Sequence, residues 1–364
     1  MSIDQRTSHQ IEALRFPLIV GVVFIHMGAN YSDVILDSPE SSLFAYKFVI
    51  HLISLVVLSS VVPLFFVISS YLLFVRFTPT FDSYLGKLRS RMTSLLAPYL
   101  IWNLTYLAFK FVVQTNLWLA SMTGGTSKRI VDYQFTDYFD ALTGISNFPI
   151  SYQFWFIRDL IVMVLFAPAI WWAIRRFSWL PVICFMVIWM IDQGRLANIR
   201  NESWFFFSLG CLVAQGKLDV QMQRVNQLWL LAVYVVLAIS TTFLFVSGVQ
   251  FFPILSKLVT LAGVAAIWYA SDLIFREGVL GEYAKKLSVF SFFVFAAHEP
   301  LLGIAAKVAG KLLYDQGGGS CVCVVFQCAN HRHSFAIDVG GCSQVAYPTV
   351  LSKDYRWEKG CASQ

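Results

Sequence analysis

Charged residues are what this sequence has least of: Asp, Glu, Lys and Arg make up 13% of its 364 residues, against roughly 25% in a soluble globular domain. Water is therefore excluded as its main solvent. The chain also contains no G-x-S-x-G elbow, no Walker phosphate loop and no H-E-x-x-H pair, so none of the chemistries those motifs carry is indicated. No solenoid or transporter-type repeat is visible either.

What the chain has is apolar mass, with 57% hydrophobic residues and a mean hydropathy of +0.65. A helix needs about 20 apolar residues to cross the hydrocarbon core, and such runs recur through most of the first 314 positions. A secretory signal or a lone anchor does not explain them. The expected fold is all-α, a polytopic transmembrane bundle of nine to ten membrane helices, with spans near 12–30, 48–75, 94–114, 153–174, 178–192, 203–215, 227–247, 253–275 and 286–312. The long 48–75 run is expected to tilt or to bend at Pro63.

The net charge of +6 requires no nucleic-acid partner, because Lys and Arg concentrate in short connections between apolar runs. If the N-terminus is cytoplasmic, Arg76, Lys87, Arg89, Arg91, Arg175, Arg176, Lys217, Arg224, Arg276, Lys285 and Lys286 share the cytoplasmic side. The opposite side then holds chiefly Lys128, Arg129, Arg195 and Arg200, so the positive-inside bias orients the N-terminus inward. The longest polar connection, about 115–152, faces outward with Asp132, Asp137 and Asp140 and is expected to approach an acceptor.

Residues 1–314 read as one membrane domain and 315–364 as an atypical tail. Apolar spans stop near Tyr314, Gly317, Gly318 and Gly319 follow, and five of the seven cysteines lie beyond them. Cys321, Cys323, Cys328, His331 and His333 invite a zinc reading, but C-x-C with H-x-H does not match the C-x2-4-C and H-x3-5-H spacing of structural zinc sites. No metal is expected; the tail reads as disordered or as the product of a shifted frame, with which a final span would be lost.

Four segments carry candidate chemistry. In the first span Arg15 and His26 are eleven steps apart, almost three helical turns, which puts both on one face about 16 Å apart along the axis. Burying an arginine in a span costs about 2.5–3.5 kcal/mol, so this face should line a polar cavity. An imidazole there can take a hydroxyl proton at neutral pH and return it; a plain interhelical hydrogen bond is the competing role. Lys87, Arg89 and Arg91 stand at the cytoplasmic mouth of the third span, where guanidinium forks grip phosphates or only anchor topology.

The third segment is Gln153-Phe154-Trp155-Phe156-Ile157-Arg158-Asp159. Adjacent helical residues point about 100° apart, so Arg158 and Asp159 need not pair and each is expected to find a partner on another helix. Trp155 is either an interfacial anchor or part of a sugar site. The fourth is His298-Glu299-Pro300 in the ninth span, where Pro300 loosens the backbone and His298 orients either a substrate or a neighbouring helix.

Arg15 and His26, then Arg89-Ser90-Arg91 before Pro98-Tyr99, then Phe154-Trp155-Phe156, then His298, together resemble the acyltransferase-3 family of membrane acyltransferases over residues 8–312. The resemblance implies about ten membrane helices in a bacterial cytoplasmic (inner) membrane and O-acetylation of an extracytoplasmic glycan or lipid-linked sugar. The donor it implies is cytoplasmic acetyl-CoA or another acyl-CoA. It makes Arg15 and His26 the essential pair and has Arg89 and Arg91, with Lys87 beside them, hold the coenzyme A end. Trp155, Arg158, Asp159, His298 and Glu299 are the candidates for the substrate side. Arg15 would keep the cavity of His26 charged and hydrated or stabilise the thioester oxygen. A transporter or flippase of a sugar-linked lipid is the alternative, marked by an inverted repeat with broken helices.

Overall fold

A 32-residue helix, Gln5–Leu36, opens the chain and runs through Pro17 without interruption. It belongs to a computed structural model that describes residues 4–36, 44–116, 128–192, 194–219, 227–249, 253–275, 278–299 and 301–302. The expected spans near 12–30, 227–247 and 253–275 appear as Gln5–His26, Gln227–Val246 and Ile254–Phe275. The tail from residue 303 onward, with its cysteines, lies outside the described residues.

Among the described residues five helices are long and apolar enough to cross a membrane, or six if one bent pair is counted as a span. The bent pair is Tyr152–Leu165 with Ala167–Phe177, which meet at 63°, so the span expected over 153–174 is broken. Pro168 is the cause to hand: it starts a new helix well in its first turn and cannot continue an old one. Leu180–Ile191 and Asn201–Ala214 are short helices of 12 and 14 residues. They are joined by a hairpin of Arg195–Leu196 and Ile199–Arg200. At its turn Ala197 and Asn198 both have positive φ, the handedness that tight hairpins need.

Two further expectations are corrected. Over 44–74 the irregularity precedes Pro63: a π-helical stretch, His51–Val57, and a 3-10 turn, Leu58–Ser60, absorb it. A proline has no N–H for the carbonyl four residues back, so the ladder loosens on its N-terminal side. In addition, Lys87, Arg89 and Arg91 are not in a loop. They lie on helix Phe81–Arg91, which continues through a π turn into Ala97–Thr115.

Helix Asn201–Ala214 is the centre of the bundle, with Trp204, Phe205, Phe206, Phe207, Cys211 and Leu212 all buried. A hydrophobic driving force is missing between helices in lipid, so close approach through small residues supplies the attraction. Gly210 does this against Val61–Phe74: a Cβ there would lie 2.3 Å from the Val67 carbonyl oxygen. Lys257 donates to the Trp189 and Met190 carbonyls at 2.6 and 3.2 Å, closing the C-terminal end of Leu180–Ile191 where carbonyls lack helical partners.

The first helix is fixed along its N-terminal half. Arg6 pairs with Asp272, and Gln10 donates to the Trp268 carbonyl and Ser271 hydroxyl at 2.7 and 2.8 Å. Beside it lies Val279–Ser288, which carries Lys285 and Lys286 and is a separate amphipathic helix rather than the start of the ninth span. Val279, Leu280, Tyr283 and Leu287 are exposed on one side of it, the pattern of a helix lying in the membrane interface. His9 and Lys285 both reach Glu282 and hold its carboxyl below the usual range.

Candidate active site

His26 lies three turns beyond Arg15 on the first helix, and its imidazole meets residues from two other parts of the chain. Its Nδ1 is 2.8 Å from the Tyr152 hydroxyl, and Tyr152 in turn donates to the Glu299 carboxylate. Since the hydroxyl hydrogen points at Glu299, the tyrosine oxygen accepts from His26, so Nδ1 carries the proton and Nε2 is left with a free lone pair. Glu299 Oε1 is itself 3.9 Å from Nδ1. The carboxylate therefore orients the imidazole and can stabilise it when protonated, with a phenol in between.

His298 completes the group, with its ring centroid 5.1 Å from that of His26. Its Nδ1 lies 2.6 Å from the Phe295 carbonyl; a carbonyl only accepts, so this nitrogen also carries a proton and Nε2 is bare. That Nε2 is buried with no protein partner, an arrangement that costs about 1–3 kcal/mol unless something donates to it. Two imidazoles with unprotonated Nε2 atoms thus stand side by side, His298 buried and His26 half-buried. Phe295 lies beside His298 and is met edge-on by Phe154 and Phe156.

The 3-10 turn Tyr152–Phe154 puts the phenol there because it opens the broken helix pair. Buried Asn103 accepts from the Ser151 N–H at 3.1 Å, and Gln153 donates to the Ala296 carbonyl at 3.3 Å. These bonds clamp the turn between helix Ala97–Thr115 and the helix over 291–299. Sequence reasoning missed Tyr152: the Gln153–Asp159 stretch was singled out, and the residue just before it drew no attention. A tyrosine preceding an intramembrane aromatic run was the one available signal.

At the other end of that face of the first helix stand the cations. Arg91 lies within electrostatic reach of Arg15, and Lys87 within reach of Arg91 and Arg76. None of these four has a carboxylate partner among the described residues. Residues 87 and 91 share a helix face, whereas Arg89, two positions away, points to the opposite side and is exposed. Of the three basic residues grouped in the sequence, Lys87 and Arg91 therefore face one way with Arg15 and Arg76 in electrostatic reach, and Arg89 the other. No helix contact brings Arg15 to His26.

A histidine pair served by a phenol and a carboxylate lies three turns along the first helix from Arg15. Residues 8–326 match the acyltransferase domain of the acyltransferase-3 family. This chain belongs to that family. Succinoglycan biosynthesis protein ExoH of Rhizobium meliloti (strain 1021) is 24% identical to this acyltransferase over 316 residues, which cover 82% of this chain and 80% of that protein. No solved structure matches.

In this acyltransferase Arg158 and Asp159 do pair, against the expectation from their 100° offset: Arg158 Nε and an Nη reach Asp159 Oδ1 at 3.0 and 2.7 Å. The long arginine side chain folds back to its neighbour because both groups are buried, and an unpaired charge there would be the costlier outcome. Each also has outside partners. Arg158 donates to the Gly144 and Asn147 carbonyls at 2.7 and 3.1 Å, and Asp159 accepts from Ser203 at 2.9 Å. The pair ties the 144–147 loop to helix Asn201–Ala214.

Trp155 is half-buried, with the Arg200 guanidinium over its ring at 4.3 Å, outside the histidine group. The acids of the 128–152 segment are committed locally. Asp132 faces Arg129, and Asp137 accepts from Lys128 at 2.5 Å, which holds its carboxyl below the usual range. Asp140 accepts from Ser146 and Asn147. Pro300 lies outside the described residues.

Proposed function

We propose that this chain is a membrane-bound O-acyltransferase that transfers acetyl from acetyl-CoA to a hydroxyl of an extracytoplasmic glycan or lipid-linked sugar, in a bacterial cytoplasmic membrane with its N-terminus inside. The observation that carries the reading is the His26–Tyr152–Glu299 chain beside His298. The distribution of Lys and Arg supports the orientation, and a relative named for succinoglycan biosynthesis supports a polysaccharide acceptor.

The nucleotide end of the donor binds at Arg15, Arg76, Lys87 and Arg91, whose mutual repulsion a set of phosphates relieves. The first helix then leads the acylated arm toward His26, about 16 Å along its axis. Nε2 of His26 takes the acceptor hydroxyl proton as the oxygen attacks the thioester carbon. The carbon–sulfur bond breaks, and the thiolate of coenzyme A leaves and takes up the proton. In a two-step variant Nε2 attacks the thioester first and carries the acyl group until the hydroxyl displaces it. Both routes use the same lone pair, and both need Tyr152 and Glu299 to hold the other nitrogen.

Purified protein in lipid nanodiscs, supplied with labelled acetyl-CoA and a glycan acceptor, should form an acetyl ester. Tyr152→Phe removes one hydrogen bond to the imidazole and should lower kcat about 10- to 100-fold with little change in KM for the donor. A Tyr152→Phe enzyme as fast as the parent would remove the phenol from the mechanism.

Donor binding gives an independent check. Arg91→Ala should raise KM for acetyl-CoA about tenfold or more, as loss of a charged phosphate contact predicts, while Arg89→Ala should change it less than twofold. Equal effects of the two would place the phosphates elsewhere.

A further inference from the structure

His298 has a bare nitrogen that the transfer chemistry above leaves without a task. Its imidazole is buried, with Nδ1 held 2.6 Å from the Phe295 carbonyl one turn back. Nε2 is closed off from solvent and has no hydrogen-bond partner. Burying an acceptor that nothing donates to is destabilising, and an apolar side chain of similar shape would fill the space without that cost. A donor that arrives with the substrate is what this nitrogen lacks. It also stands beside the reacting ring, since His26 has Tyr152 and His298 as its ring neighbours, with centroids 5.2 and 5.1 Å away.

The direct and two-step routes differ in how many such nitrogens they need. In the direct route Nε2 of His26 is the one base, and a second bare nitrogen has nothing to do. In the two-step route Nε2 of His26 becomes bonded to the acyl carbon, so it cannot take the acceptor's proton. Its Nδ1 is occupied by the Tyr152 hydroxyl, which is itself committed to Glu299. The hydroxyl that attacks the acyl group then needs a base on a different residue. An attacking oxygen comes to within about 3–3.5 Å of the carbon it attacks, and the imidazole next to His26 is that of His298.

We infer that His298 is the acceptor-side base of a two-step transfer in which His26 carries the acyl group. The inference rests on the acyltransferase reading and deepens it by assigning the second half of the reaction. First, Nε2 of His26 attacks the thioester carbon; the carbon–nitrogen bond forms, the carbon–sulfur bond breaks, and the electron pair leaves on the thiolate of coenzyme A. The acylated ring is cationic, and Glu299 stabilises it through Tyr152. Then the acceptor oxygen attacks the acyl carbon as Nε2 of His298 takes its proton. The carbon–nitrogen bond breaks, its electron pair returns to His26, and the proton passes from His298 to the thiolate, so both rings are restored.

The test follows label on the full chain in nanodiscs. Parent protein given labelled acetyl-CoA and no acceptor should take up label, and methyl glucoside should then discharge it as ester. His298→Asn keeps a donor for the Phe295 carbonyl and His298→Phe fills the space; neither has a bare nitrogen. Both should take up label within about threefold of the parent rate, yet pass it to methyl glucoside about 10²- to 10⁴-fold more slowly, the contribution of a positioned base. Hydroxylamine attacks acyl groups without help from a base and should discharge parent and variants alike. Comparing the two discharge rates on labelled molecules leaves unfolded protein out of the count. Equal discharge to methyl glucoside by the parent and either variant, or failure of both variants to take label, overturns the assignment. So does a parent that forms ester when acceptor is present but never takes label without it; the acyltransferase reading then stands on the direct route. A parent that neither takes label nor forms ester sinks that reading and the assignment with it.

Discussion

Replacing His26 with alanine should abolish measurable acyl transfer while leaving the protein at its normal level in the membrane. The imidazole has a bare Nε2 and its ring lies 5.1 Å from that of His298, centre to centre, and general-base catalysis by such a group contributes about 10²- to 10⁴-fold. If the ring carries the acyl group itself, the loss is complete, and the two routes separate in one further measurement. Parent protein incubated with labelled acetyl-CoA and no acceptor acquires stoichiometric label in the two-step route and none in the direct one. A His26→Ala enzyme that still transfers at more than a tenth of the parent rate would remove this imidazole from the chemistry. The stability of the chain should change little, because among the described residues His26 hydrogen-bonds only Tyr152 and Tyr152 keeps Glu299.

Arg158 and Asp159 should behave in the opposite way. Both are buried and paired, and taking away one member leaves the other charge uncompensated, which costs about 3–5 kcal/mol. Arg158→Ala or Asp159→Ala should therefore lower the thermal midpoint of the detergent-solubilised protein and its level in membranes. Replacing both at once with residues of similar volume and no charge should recover much of that loss, since a neutral pair has no stranded charge. The rate per folded molecule should remain near the parent value. Normal stability with a raised acceptor KM would instead make the pair a substrate contact, the role its sequence neighbourhood suggests.

That contrast marks where a linear reading stops. Arg15, His26, His298 and Glu299 stood out because an ionisable residue inside an apolar run is costly wherever it sits, and cost is visible without coordinates. Tyr152 did not stand out, because a tyrosine next to a membrane span is an ordinary interfacial residue until its hydroxyl is found between an imidazole and a carboxylate. Arg89 and Arg91 read as one motif in the sequence; helical geometry puts them on opposite faces, and Arg91 is the one within electrostatic reach of Arg15.

The sequence by itself determined that this is a membrane-embedded helical protein of the acyltransferase-3 kind, because composition, apolar run length and the order of a few polar residues are properties of the chain alone. The tertiary structure decided which of those polar residues act together. Hydrogen bonds and ion pairs reach only a few ångströms, and the partners that make the site come from positions 26, 152 and 298–299, brought within that reach only when the helices pack. It also decided that one expected span is broken at Phe166 and that a buried ion pair is a brace, since burial and the direction of a side chain are set by neighbours distant in sequence.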